Sequence, residues 1–169
     1  MMKRQLTWFI FATCFLLGIA SCSKEKEIKD PRLVNKENKE AGELFLKDNA
    51  ERSEVKQTST KLQYEIKDQG KGIRPHPEDS VKVTYTGKLI DGTVFSAVEE
   101  EDFLLIKLIS GFQEGLKLMP EKSTYILYIP YYLAYNASSK TVNYEGKNVT
   151  ILPYSALIYE VTLNRVTRN

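Results

Sequence analysis

The sequence predicts an α+β domain in which an antiparallel sheet wraps one short helix, with a second short helix ahead of it. Three observations carry this. Apolar residues alternate with polar ones in separate stretches, among them Leu62-Tyr64-Ile66, Val81-Val83-Tyr85 and Leu157-Tyr159-Val161-Leu163, the period of a half-buried strand. One late stretch instead spaces Phe112, Leu116 and Met119 at i, i+4 and i+7, the face of a helix. The strands follow one another through turns, as in a meander, and such a sheet buries its apolar face against the helix available to it.

The first 21 residues stand apart from that domain. Lys3 and Arg4 form a positive start, Leu6 to Leu17 is almost wholly apolar, and small residues lead to Cys22 in "LGIASC". This is the layout of a secretory signal, too short and wrongly flanked for a spanning helix. Ile19-Ala20-Ser21-Cys22 also resembles the bacterial lipobox, in which the cysteine is acylated and becomes the new N-terminus; the alternative is an ordinary signal cleaved near Ser21. Cys14 falls in the removed part, so Cys22 is the one cysteine left and the fold is expected to rest on its core without a disulfide. Lipid on Cys22 anchors the protein on a membrane rather than through it, which places it in the cell envelope, periplasmic or on the outer surface. Without Lys3 and Arg4 the chain carries 22 basic and 22 acidic residues, and that neutrality argues against nucleic acid as a partner.

Residues 22–33 are mixed-charge and apolar-poor with Pro31, the composition of a flexible tether. Residues 34–54 stay charged, but Ala41, Leu44, Phe45 and Leu46 make a narrow apolar stripe, which suits a short helix capped by Asn35 that needs a surface to lean on. The domain proper is expected over 55–169. Its first strand carries Leu62, Tyr64 and Ile66, and "GKGIRPHPEDS" follows as a loop by its glycines and prolines. "VKVTYTGKLIDGTVFS" reads as strand, turn and return strand, with Asp91-Gly92 at the turn. The acidic run Glu99-Glu100-Glu101-Asp102 reads as a solvated loop. Ser110 is the expected N-cap of the helix. "TYILYIP" and "SALIYEVTLNRV" are two further strands, and "TVNYEGKNVTI" a small hairpin around Glu145-Gly146.

Polar chemistry is scarce. His76 is a lone imidazole between two prolines, no His/Cys cluster exists from which to build a metal site, and no cofactor motif is found. Aromatic and aliphatic surface is abundant instead, and its spacing has a family behind it. "VKVTYTGKLIDGTVFS", "ISGFQEGLKLMPEKSTYILYIPYYLAY" and "ILPYSALIYEVTL" together resemble the FKBP-type peptidyl-prolyl isomerases over about residues 57–166. "NKENKEAGELFLKDNAERSEVKQTSTKLQYEI" also resembles the entry of the macrophage-infectivity-potentiator branch, whose long N-terminal dimerisation region is mostly missing.

The resemblance implies a half-barrel antiparallel sheet curled around a short helix, with a substrate proline held in an aromatic pocket between them. It implies roles for individual residues. Tyr85 matches the tyrosine of V-x-Y-x-G and Phe95 the phenylalanine of G-T-x-F. Leu108 and Ile109 lead into the helix, with the Ile109 backbone N–H on a substrate carbonyl. Phe112 stands at the pocket floor, where tryptophan is usual. Tyr135, in L-A-Y, offers its hydroxyl to the ligand; Ile151 is the aliphatic residue of the flap; Tyr159 stands where phenylalanine is usual. Ser96 replaces an aspartate that orients the tyrosines, and Phe103 is the candidate for a second pocket phenylalanine. The flap from Asn136 to Ile151 is longer than usual, and a smaller floor ring is expected to leave the pocket deeper and looser. The implied function is a lipid-anchored isomerase or folding helper of weak activity that acts on proline-containing polypeptides. The alternative is a non-catalytic envelope lipoprotein of the same fold that binds a peptide or partner, like the gliding-motility lipoproteins that resemble this family.

Overall fold

A computed structural model describes residues 30–169; the signal, Cys22 and most of the tether lie outside the described residues. Helix α1 (Pro31–Ala50) is followed by β1 (Val55–Gln57), β2 (Gln63–Asp68), β3 (Ser80–Leu89) and β4 (Val94–Leu104). Helix α2 (Ser110–Leu118), β5 (Ser123–Ile129), the pair β6 (Lys140–Tyr144) and β7 (Lys147–Ile151), and β8 (Leu157–Thr167) complete the chain. Six strands form one open antiparallel sheet in the order β1-β2-β5-β8-β3-β4, and β6-β7 is a separate hairpin. Among the described residues no helix is long and apolar enough to cross a membrane.

One face of the sheet packs on α2. Phe112, Leu116 and Met119 are buried against Val81, Val83, Leu127, Ile129, Leu157, Val161 and Leu163 from three strands. Two glycines set the close approach: a Cβ on Gly111 would lie 2.4 Å from Ile129 Cγ2, and one on Gly115 would lie 2.3 Å from Leu127 Cδ1. Ser110 is the first residue of α2 rather than its cap; Ile109 caps the helix without a side-chain hydrogen bond. The opening turn is held instead by Gln113, whose Nε2 donates to the Leu108 carbonyl at 2.7 Å and the Ile106 carbonyl at 3.3 Å.

Helix α1 lies on the opposite face. It begins at Pro31, four residues before the expected Asn35 cap, so three residues read as tether are helical. Asp30 accepts from the Arg32 N–H at 2.9 Å, and proline suits the first helical position because its missing N–H would have no partner there. Its contacts with the sheet are largely polar. Asn49 Nδ2 donates to Gln63 Oε1 (2.8 Å), Gln63 Nε2 to the Leu46 carbonyl (2.7 Å), and Arg52 to Glu65 Oε2 (2.9 Å) and the Tyr128 hydroxyl (3.0 Å). Toward its other end Asn38 Nδ2 donates to the Pro153 carbonyl (2.5 Å) and Ser155 Oγ (3.0 Å), and Gly42 lies against Ala156.

The acidic run is not a loop. Glu99 to Asp102 belong to β4, the edge of the sheet, with a bulge where Glu100 takes a positive φ of 50°. Charge and a bulge on an edge strand discourage pairing with another chain. The turn at Asp91-Gly92 and the hairpin at Glu145-Gly146 fall as the sequence predicts, both glycines at positive φ.

Candidate active site

Five aromatic rings from four elements meet between the sheet and the start of α2. Tyr85 of β3 lies edge-on to Phe112 of α2 and to Tyr159 of β8, with ring centroids 5.4 Å apart in each case. Phe112 and Tyr159 stack at 4.6 Å, Phe95 of β4 meets Tyr159 edge-on at 5.6 Å, and Phe103 lies 6.2 Å from Tyr85. Offset and edge-on pairs of this kind are the favoured aromatic geometries. Phe112 is 2% exposed. Tyr159 lies over this smaller floor ring.

The cluster depends on Gly87, a residue given no role from the sequence. It lies inside β3, opposite Tyr159 on β8 and Ser96 on β4. A Cβ there would stand 2.7 Å from Phe95 Cζ and 3.0 Å from Tyr159 Cε1. The signal was available: a glycine within an alternating strand marks a place where something approaches the backbone closely. Gln113 is the second residue missed. Its role shows only once the turn preceding α2 is in view.

Ser96 hydrogen-bonds the Tyr85 hydroxyl at 3.1 Å, so the tyrosine keeps a partner without a carboxylate. Burial pushes the Tyr85 phenol up, with the Ser96 bond pulling the other way and the Glu101 carboxylate adding to the rise. Burial also raises Tyr135, and it raises Tyr159 strongly, with Tyr135 and Tyr85 contributing. All three phenols are neutral at physiological pH and close enough to influence one another. Tyr135 packs half-buried against the core, and the Lys140 ammonium of the hairpin sits 5.2 Å from its ring centroid.

The other predicted positions surround the rings. Ile151 ends β7 fully buried; Leu108 and Ile109 pack on the core from the extended segment before α2. Among the described residues nothing accepts from the Ile109 N–H. Val142 and Val149 bring the β6-β7 hairpin onto the same core, and the hairpin touches edge strand β4. The result is an apolar cluster of rings that carries phenol hydroxyls, next to a backbone N–H left without an acceptor at the start of α2. It is equipped to hold a nonpolar ring by shape and a peptide carbonyl by hydrogen bonding.

Comparison with known proteins gives the same picture. Residues 71–164 match the model of the family described as FKBP-type peptidyl-prolyl cis-trans isomerase. Residues 18–66 match that of the domain amino-terminal to such isomerases. A probable FKBP-type peptidyl-prolyl cis-trans isomerase FkpA of Neisseria meningitidis serogroup B is 38% identical over 145 residues, 83% of this chain and 51% of that protein. The outer membrane protein MIP of Legionella longbeachae is 41% identical over 107 residues, 61% of this chain and 46% of that protein. The chain thus spans about half the length of these relatives. The crystal structure of FkpA from Escherichia coli superposes with a TM-score of 0.72 at 33% identity, covering 81% of this chain and 62% of that one.

Proposed function

We infer the activity from a premise these matches establish: the chain belongs to the FKBP-type peptidyl-prolyl cis-trans isomerase family. We propose that it accelerates rotation about Xaa–Pro bonds in exported, proline-containing polypeptides. In this reading Tyr85, Phe95, Phe103, Phe112 and Tyr159 form the cup for the proline ring. The Tyr135 hydroxyl and the Ile109 N–H hold flanking carbonyls, while Leu108 and Ile151 close the wall and Ser96 orients Tyr85. The observation that carries this is the convergence of the five rings in one cluster between the sheet and α2.

The chemistry explains why no nucleophile, base or metal is needed. Amide resonance opposes the rotation with a barrier of roughly 18–20 kcal/mol, so it takes tens to hundreds of seconds unaided. No bond breaks. In the twisted transition state the amide loses conjugation and part of its dipole. An apolar cup that excludes water favours that state over the planar, more polar ground state. Lowering the barrier by about 5 kcal/mol gives nearly four decades in rate. Neutral phenols suit the task, since a phenolate would bring water and charge into the cup.

The test is acceleration of cis–trans isomerisation in a tetrapeptide with a central Leu-Pro bond. Tyr135→Phe should lower kcat/KM by about 2- to 10-fold, the worth of one hydrogen bond, with an unchanged unfolding midpoint. Background turnover in a folded protein that still binds the peptide would replace the isomerase by a peptide-binding module.

We also propose that Cys22 carries lipid and anchors the domain to the envelope. What supports this is the Ile19-Ala20-Ser21-Cys22 sequence after an apolar run. Cys22→Ser should release the protein from the membrane fraction and abolish labelling by a fatty-acid analogue. Unchanged partition and labelling would refute it.

A further inference from the structure

Tyr159 differs from the other rings of the cup in one respect. Its side chain is only 6% exposed, yet among the described residues no group hydrogen-bonds its hydroxyl. The hydroxyl is not sealed in the core either. The one side-chain polar atom among the described residues that is both sealed and unpaired is Asn164 Oδ1, so Tyr159 Oη keeps some access to solvent. Tyr85 packs edge-on against Tyr159, but its hydroxyl is already engaged by Ser96. Tyr135 lies within electrostatic reach of Tyr159.

A hydroxyl taken out of water without a partner destabilises the protein that carries it. Phenylalanine would fill the same ring position without that cost. We propose that Tyr159 is a substrate-binding residue whose hydroxyl donates to a backbone carbonyl beside the bound proline, a second phenol donor alongside Tyr135. The proposal rests on the isomerase reading and specifies its substrate: a peptide segment with acceptors on both sides of the proline, rather than an isolated apolar ring. A carbonyl outside the rotating amide is the same in ground and transition states. The bond therefore contributes uniform binding, which is felt in KM more than in kcat.

The test is Tyr159→Phe, measured with the Leu-Pro tetrapeptide by turnover and by direct binding, and by thermal unfolding without ligand. The expected signature has opposite signs. KM and Kd rise about 2- to 10-fold, as for the loss of one hydrogen bond, the loss falls on KM more than on kcat, and the unliganded protein melts a few degrees higher. Equal or tighter peptide binding by Tyr159→Phe, with the wild type active, overturns the proposal alone. A wild type that neither turns over nor binds the peptide overturns both this proposal and the isomerase reading. A purely structural tyrosine would instead lower the melting point when changed and leave KM in place.

Discussion

Gly87 shows how much one absent methyl group can decide. Phe95 and Tyr159 lie where its Cβ would be, and both rings are buried with neighbours behind them. Gly87→Ala should therefore displace the rings and destabilise the domain by about 1–3 kcal/mol, the usual cost of overpacking. Turnover should drop by roughly a hundredfold, as for a small misplacement of positioning groups. Denaturant unfolding and the peptide assay check it; wild-type values in both would mean that the rings are not seated on the strand. At this scale Tyr85, Phe95, Phe112 and Tyr159 were legible through the family resemblance of the segments that carry them, and their rings do meet. Ser96 was legible only as a departure. That it still pairs with Tyr85 depends on where two adjacent strands place their side chains, which no single strand's sequence contains.

Among the elements, those whose burial repeats were read well. Alternation located β8 and β3, and the i, i+4, i+7 spacing located α2. Two elements were misread because composition was taken for conformation. The acidic run is an edge strand, since charge is compatible with β pairing when one side faces water. Pro31 opens α1, since proline breaks helices everywhere except in their first turn. In β2 the alternation was found, but the polar partners Gln63 and Glu65 are themselves buried, beneath α1. That burial has a pH signature. Glu65 is held below the usual carboxylate range first by the Lys67 ammonium and then by Arg52. Asp79 is held low by the His76 backbone N–H and by Arg168, with which it is paired. For both groups the unfolded chain takes up protons first as pH falls. Their stabilisation is therefore full above the unfolded value of about 4 and is lost on acidifying through the lower folded values. The unfolding free energy should be flat above about pH 5.5 and decline below it. Glu65→Gln and Asp79→Asn should each flatten the decline, as urea titrations across that range would register; an unchanged slope in both variants would place the acid sensitivity elsewhere.

For the molecule as a whole, α1 joins two regions that the sheet keeps apart. Its C-terminal end is fixed to β2 and β5 through Asn49, Arg52, Gln63 and Tyr128, and its N-terminal half to the segment that follows the β6-β7 hairpin, through Asn38 on Pro153 and Ser155. Lys39 sits 5.5 Å from the ring centroid of Tyr131, which in turn packs on Tyr154, and the Tyr154 N–H donates to the Asn136 carbonyl at 2.7 Å. Both roots of the hairpin that borders the cup therefore meet at the helix. Asn38→Ala should cost about 1 kcal/mol and raise amide exchange in residues 137–152 while leaving β3, β5 and β8 protected. Uniform exchange across the domain would show instead that the helix braces the sheet alone. In mechanical terms the arrangement is a load path. Tension on the chain ahead of Pro31 enters α1 at the end tied to the hairpin root, and reaches the sheet only after passing through it. A pull applied at Pro31 thus works on the hairpin beside the rings before it works on the fold.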